Sequence, residues 1–213
     1  MRFRIYGHRH ADALFTTLPE YADLWAEIAD AIEAITDDMI IEEFTTEARK
    51  AKSISQAINR LVKRELVNRG WNAESYIFAD AEYSTGATSK GTWRLDFAKG
   101  TLSVEVAFNH RSDIAWNILK PTMASELNHV AKAIQTTGGV IITATEDMKR
   151  AGGFDSACGT WEDYVQYMKP MYNLLPSPLL LVGLEAPDTF EITVQKGPTG
   201  SKYGTVTYRA VTI

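Results

Sequence analysis

The chain has 213 residues, 45% apolar and 23% charged, with a formal net charge of −5. That length and balance suit one globular domain with a sizeable core and exclude a disordered or fibrous chain. The sequence holds no run of about 18 apolar residues to span a membrane, its start "MRFRIYGHRHAD" is too polar for a signal core, and the single Cys158 allows no internal disulfide, so an intracellular, cytoplasmic protein is expected.

In chain order, "RFRIYG" reads as a short first strand. "YADLWAEIADAIEAIT" spaces Leu24, Ile28, Ile32 and Ile35 as an amphipathic helix. Ser53 is expected to cap "ISQAINRLVKRELVNRG", whose Ile54, Ile58, Leu61 and Leu66 share one side and whose Gly70 is the stop. From Trp71 the period changes to two. "SYIFADAEYST" and "TWRLDF" read as strands, and "TLSVEVAF" alternates more strictly. Leu102, Val104, Val106 and Phe108 should face inward, with Thr101, Ser103, Glu105 and Ala107 opposite. "DIAWNILK" reads as a helix broken at Pro121. Met123, Leu127, Val130, Ala131 and Ile134 then mark a longer helix, stopped at Gly138-Gly139. "VIITAT" is a buried strand, "GTWEDYVQYMKPMY" a helix and "PLLLVGLE" a second buried strand. "FEITVQK" and "YGTVTYRAVTI" close the chain as a hairpin around "GPTGSK". The strand–helix–strand order implies parallel crossovers, so the expected fold class is α/β: a mixed sheet flanked by helices, one domain over residues 1–213.

Charge is unevenly spread. Arg49, Lys50, Lys52, Arg60, Lys63, Arg64 and Arg69 share residues 49–69 with one acid, Glu65. That segment carries +6 and leaves −11 for the rest of the −5 total. A local basic stripe can meet phosphates whatever the whole-chain charge.

The stretch "RLDFAKGTLSVEVAFNHR" holds the chemistry. Asp96 and Glu105 lie on polar positions of two strands joined by a tight turn. Pairing across it can bring two carboxylates together, and a hard cation such as Mg²⁺ relieves their repulsion. Such an ion polarises a phosphoryl oxygen and acidifies a bound water. Two solvated acids on an amphipathic hairpin would show the same spacing.

The stretch resembles the core of the PD-(D/E)xK nucleases. The segments "HADALF", "LWAEI", "NRLVKRELVNRGW", "LDFAKGTLSVEVAFN", "SELNH" and "PLLLVGLE" together resemble the BglII and BstYI group of type II restriction endonucleases over roughly residues 8–186. The resemblance implies a restriction-endonuclease-like mixed sheet and Mg²⁺-dependent cleavage of double-stranded DNA at a short, GATC-centred palindrome by a homodimer. It implies Asp96 and Glu105 as metal-binding acids, with the Val106 backbone carbonyl toward the ion and Glu74 as a further catalytic residue. Ala107 departs from the pattern, since the group usually has Gln there, or Glu in relatives. Either Glu74 or Glu126 compensates, or metal and phosphate alone position the water, or the protein is a catalytically inactive DNA-binding protein of the same fold.

Under the nuclease reading, Lys52, Arg60, Lys63 and Arg64 would meet the DNA backbone. Asn109, His110, Asp155, Ser156, Lys202 and Tyr203 are expected to contact DNA from loops and the last hairpin, where an aspartate can accept from a cytosine amino group. The region "DIAWNILKPTMASELNHV" is expected to form part of the dimer interface. His8 and His10 make an isolated His-x-His, expected at the surface rather than on a metal. Cys158 could serve a small-molecule hydrolase, but no histidine–acid pattern accompanies it. The glycines of "GGFDSACG" do not follow a phosphate-loop pattern, so no nucleotide cofactor is expected.

Overall fold

The alternating and helical patterns resolve into a mixed six-stranded sheet with helices on both faces and a separate two-stranded hairpin. The structure, a computed structural model, describes residues 1–46, 51–80, 83, 93–126, 129–198 and 200–209. Its first part is strand β1 (Phe3–His8) and helices α1 (Ala11–Thr17), α2 (Pro19–Glu33), α3 (Asp37–Thr45) and α4 (Ser55–Asn68). Three antiparallel strands follow: β2 (Asn72–Tyr76), β3 (Arg94–Lys99) and β4 (Leu102–Val106). Helix α5 (Ile114–Ser125) then leads to β5 (Gly138–Ala144). Helices α6 (Glu146–Ala151) and α7 (Trp161–Met168) lead to β6 (Leu179–Leu184), and β7 (Phe190–Lys196) and β8 (Lys202–Tyr208) form the hairpin.

The sheet order is β1-β6-β5-β4-β3-β2. β4, β5 and β6 are parallel neighbours, joined through helices as the strand–helix–strand pattern requires. β1 is antiparallel to β6, and β3 is antiparallel to both β2 and β4. One face of the sheet packs Phe97, Leu102, Val104, Val140, Ile142 and Val182 against buried residues of α1 to α4, among them Phe15, Ile28 and Leu61. The other packs Ala107, Ile141 and Leu181 against Ile114 and Ile118 of α5 and Tyr164 of α7. Each fully buried Leu, Ile or Phe contributes about 1.5–3 kcal/mol relative to exposure, so the two-sided covering fixes where β4 lies.

Several local expectations change. Ser53 does not cap α4: its hydroxyl meets that of Ser55 at 2.9 Å, and Ile54 takes the cap position. Gly70 does end that helix, at φ +81°, where a side chain would be strained. Pro121 does not break the next helix, and α5 runs through it to Ser125. A proline there removes one backbone donor, and the Thr122 hydroxyl stays satisfied on the Ile118 carbonyl at 3.0 Å. No helix spans Met123–Ile134. At Glu126 the backbone is extended, and Ala131 and Ala133 exchange hydrogen bonds with Ala79 and Ile77. The apolar Val130 and Ile134 pack on Ile77, Phe78 and Leu95 from this extended strip. The expected strand over 75–85 is confined to β2, which begins at Asn72. Residues 81–82 and 84–85 of it lie outside the described residues, as do 210–213 of the last strand and Leu127 of the expected helix. His8 is buried, not at the surface: its Nε2 lies 2.8 Å from the Leu175 carbonyl, and desolvation lowers its pKa.

Candidate active site

β3 and β4 separate at the point where their acids stand. Backbone pairing runs from Lys99↔Leu102 to Phe97↔Val104 and stops. Beyond it the two carboxylates bridge the gap. The Val106 N–H donates to Asp96 Oδ2 at 2.8 Å, and the Asp96 N–H donates to Glu105 Oε1 at 3.3 Å. Side chains have replaced the ladder, and that crossed arrangement holds both acids in fixed orientations. On the outer side, the register Ala73↔Phe97 and Ser75↔Leu95 puts Glu74 opposite Asp96. Glu74 sits at φ +57°, a conformation costly for a residue with a Cβ. Thus Glu74, Asp96 and Glu105 form one row across three strands.

The face carrying Glu105 is not wet. Ser103, Glu105 and Ala107 are all buried, because α5 covers this side of a central strand. Burial and the adjacent Asp96 push the Glu105 carboxyl up to about 8, against the pull of a nearby lysine. Burial likewise raises Asp96, opposed by the Val106 N–H. That lysine is Lys120 of α5. Its ammonium forms an ion pair with Glu105 Oε2 and donates to the Arg94 carbonyl at 3.3 Å, with side-chain exposures of 10% for Lys120 and 2% for Glu105. Glu74 is half exposed and is held by Arg94 at 2.8 Å, with Lys63 of α4 at 4.0 Å. Sequence reasoning missed Lys120. The available signal was a lysine on the buried side of "DIAWNILKP", next to Ile118 and Pro121, where a charge requires a partner.

Glu126 is not at this site. Its carboxylate accepts from the Ser177 hydroxyl at 3.4 Å, near the start of β6. Ala107 packs among Ile114, Ile118 and Tyr164, so its small side chain fits the underside of α5. Cys158 is buried and its thiol is pushed up to about 11, which leaves it unionised and poor as a nucleophile.

Among the other predicted residues, those of the loops and the hairpin gather on a second surface, and Lys52 with them. His110 bridges Cys158, and Arg111 N–H donates to the Ala157 carbonyl at 2.8 Å, so the strand-end loop with Asn109 and His110 lies along the loop with Asp155 and Ser156. Lys52 joins them through Asp155 Oδ2 at 3.1 Å. The Gly204 N–H donates to the Ala51 carbonyl at 2.8 Å, which brings Lys202 and Tyr203 of β8 alongside. The Tyr203 hydroxyl donates to Gln195 at 3.0 Å. The Ala157 N–H and Lys52 hold the exposed Asp155 carboxyl down at about 2. On α4, Arg60 and Arg64 both reach Glu43 of α3, at 2.5 and 3.8 Å. The basic stripe is therefore interleaved with acids from other elements. Arg49 and Lys50 lie outside the described residues.

A family model described as "Restriction endonuclease BglII/BglIII" matches residues 3–184. The chain belongs to that family. It is thereby a site-specific deoxyribonuclease of type II, and the crossed acids of β3 and β4 lie within the matched residues. Two solved structures share the fold at 18% identity, each covering 98% of this chain and 100% of its own. They are restriction endonuclease BglII complexed with a DNA 16-mer, with a TM-score of 0.65, and free BglII, with a TM-score of 0.54. No curated protein matches the chain. Among the described residues, no helix is long and apolar enough to cross a membrane.

Proposed function

We propose that residues 1–213 act as one nuclease domain that hydrolyses duplex DNA in a Mg²⁺-dependent reaction, within a short palindrome centred on GATC. The crossed Asp96–Glu105 bridge at the separation of β3 and β4 carries this reading. The donor chemistry fits the ion. Asp96 and Glu105 stand opposite each other where the strands separate; burial raises both carboxyls, Glu105 further through Asp96, and a divalent cation between them would offset that cost. Among the described residues, no three acid, histidine or cysteine side chains are placed to hold one metal ion together. As the family resemblance implies, the set would be Asp96, Glu105 and the Val106 backbone carbonyl, completed by water and substrate, as suits Mg²⁺. Bound there, the ion supplies a Lewis acid and a more acidic water.

The chain's own groups do the remaining work. Asp96 is fixed by the Val106 N–H and Glu105 by Lys120, so neither acid must reorganise when the phosphate arrives. Glu74, held by Arg94, faces Asp96 and would orient the attacking water. The water oxygen bonds to phosphorus as one bridging P–O bond breaks. The water gives up a proton and the departing oxygen gains one. Lys63 lies beside this row, and with Lys52, Arg60 and Arg64 would meet phosphates, which position the duplex without reading it. Asn109, His110, Asp155, Ser156, Lys202 and Tyr203 would read or flank the bases. For Asp155 to accept from a base, its contact with Lys52 must open.

A two-fold symmetric site favours a homodimer. Trp116 of α5 packs edge-on against Trp93 at 5.2 Å, and Leu119 beside it is 37% exposed. That apolar side of α5 is the proposed contact with a second copy. The test is a digest of long duplex DNA with and without Mg²⁺, the fragment ends being sequenced. One palindrome at every end, in Mg²⁺ only, is expected. Intact DNA in Mg²⁺, with the duplex bound, would contradict the reading.

A further inference from the structure

We propose that Lys120 is a catalytic residue of this nuclease: from helix α5 its ammonium donates to a non-bridging oxygen of the scissile phosphate, the task that Ala107 cannot perform from β4. This rests on the proposed metal-dependent cleavage. Three observations carry it. First, Glu74, Asp96 and Glu105 form a row of acids that would repel a phosphate, and Lys120 is the described cation paired with Glu105. Arg94 is already turned to Glu74. Second, the ammonium has three N–H donors. Among the described residues Glu105 and the Arg94 carbonyl take two, leaving one for a substrate oxygen. Third, the burial is hard to explain by stability alone. Desolvating a lysine and a glutamate costs about as much as their attraction returns, so an apolar pair would serve a purely structural purpose as well.

The packing explains why the group comes from a helix. Ala107 is buried in one apolar cluster with Ile114 and Ile118, surroundings in which a long polar side chain would bury its polar end at a cost. Lys120, two residues beyond Ile118, reaches Glu105 from the same helix. In the hydrolysis it neither gains nor loses a proton. It supplies a fixed positive charge and a donor as charge builds on the phosphate oxygens, and holds Glu105 in place before the substrate binds.

The test compares native protein with Lys120→Gln and Lys120→Arg. Three quantities are measured: single-turnover cleavage in Mg²⁺, duplex affinity in Ca²⁺, and Ca²⁺ affinity of the DNA-free protein by calorimetry. Lys120→Gln should lose roughly 10²–10³-fold in cleavage, the usual loss for one preorganised donor. Duplex affinity should change little, since the contact strengthens in the transition state. Lys120→Arg should retain much of what Gln loses. Ca²⁺ should bind more tightly to Lys120→Gln, because a like charge has left the shared Glu105. Melting curves check folding. Lys120→Met, which keeps the apolar stem, replaces Gln if that variant unfolds, and the same losses are expected. Near-native cleavage by the folded neutral variant overturns the proposal while the nuclease reading stands. Equal losses in Arg and Gln with unchanged Ca²⁺ affinity overturn it too. A native protein that binds duplex but never cuts in Mg²⁺ overturns both.

Discussion

The end of β3 and β4 and the surface built from the 155–158 loop and the β7–β8 hairpin use charge in opposite ways. At the first, Glu105 and Lys120 are buried and Asp96 half-buried, and the acids are locked by backbone donors and by the lysine. At the second, Lys52 and Asp155 form an exposed pair, and on the basic stripe of α4 Arg60 and Arg64 share Glu43 of α3 in the same replaceable way. Exposed pairs are weak and screened by salt, so they can be exchanged for phosphates and bases. Buried ones cannot be exchanged without loss of the site. On the proposed reading, chemistry would rest on the rigid region and recognition on the replaceable one.

Breaking the buried side should have the larger effect. Glu105→Gln removes a proposed metal-binding acid and should lower cleavage by at least roughly 10²–10⁴-fold, the range for loss of a group that activates or positions water. It should also change the pH dependence of stability. In the native, metal-free protein Glu105 is raised from the ordinary 4.5 to about 8. Between those values the folded state binds more protons than the unfolded one, so stability should fall as pH rises through that window. Melting temperatures across pH should slope downward there in the native protein and be flatter in Glu105→Gln. Equal slopes would show that Glu105 is not the buried acid described.

Ala107→Gln adds volume beneath α5. Overpacking of this kind costs about 1–3 kcal/mol, readable in chemical denaturation, and cleavage should stay level or fall. A steep rise from a near-zero native background would instead mark a degraded nuclease.

The exposed side should yield smaller, more uniform effects. Lys63 and Arg64 are neighbours on α4, and replacing both by Ala removes two candidate phosphate contacts at once. The double variant should weaken binding to all duplexes alike and flatten the log–log salt dependence by about 1.8, two phosphate contacts at roughly 0.9 each. An unchanged slope would make the stripe a solvated face.

Much of this was legible in the sequence. Strict alternation over 101–108 identified β4 and, with Asp96 across the Ala-Lys-Gly turn, both central acids. The face expected opposite the inward one, with Glu105 on it, is buried as well, because alternation reports the strand and not what later covers it, and α5 arrives from residues 114–125. Lys120 was hidden for the same reason: beside Pro121 it looked like a helix end. The spacing of Met123, Val130 and Ile134 suggested a helix, yet Val130 and Ile134 are packed equally well by an extended strip along Ile77 and Phe78. Helices α1, α3 and α6 are at most nine residues long, too short for a clear helical period.

The central claim is that crossed acids at the separated strands hold the catalytic ion. It is tested most directly by Asp96→Ala, assayed for cleavage in Mg²⁺ and for specific duplex binding in Ca²⁺. Abolished cleavage with folding and specific binding largely intact is the predicted result. Full activity at ordinary Mg²⁺ concentration would contradict the site.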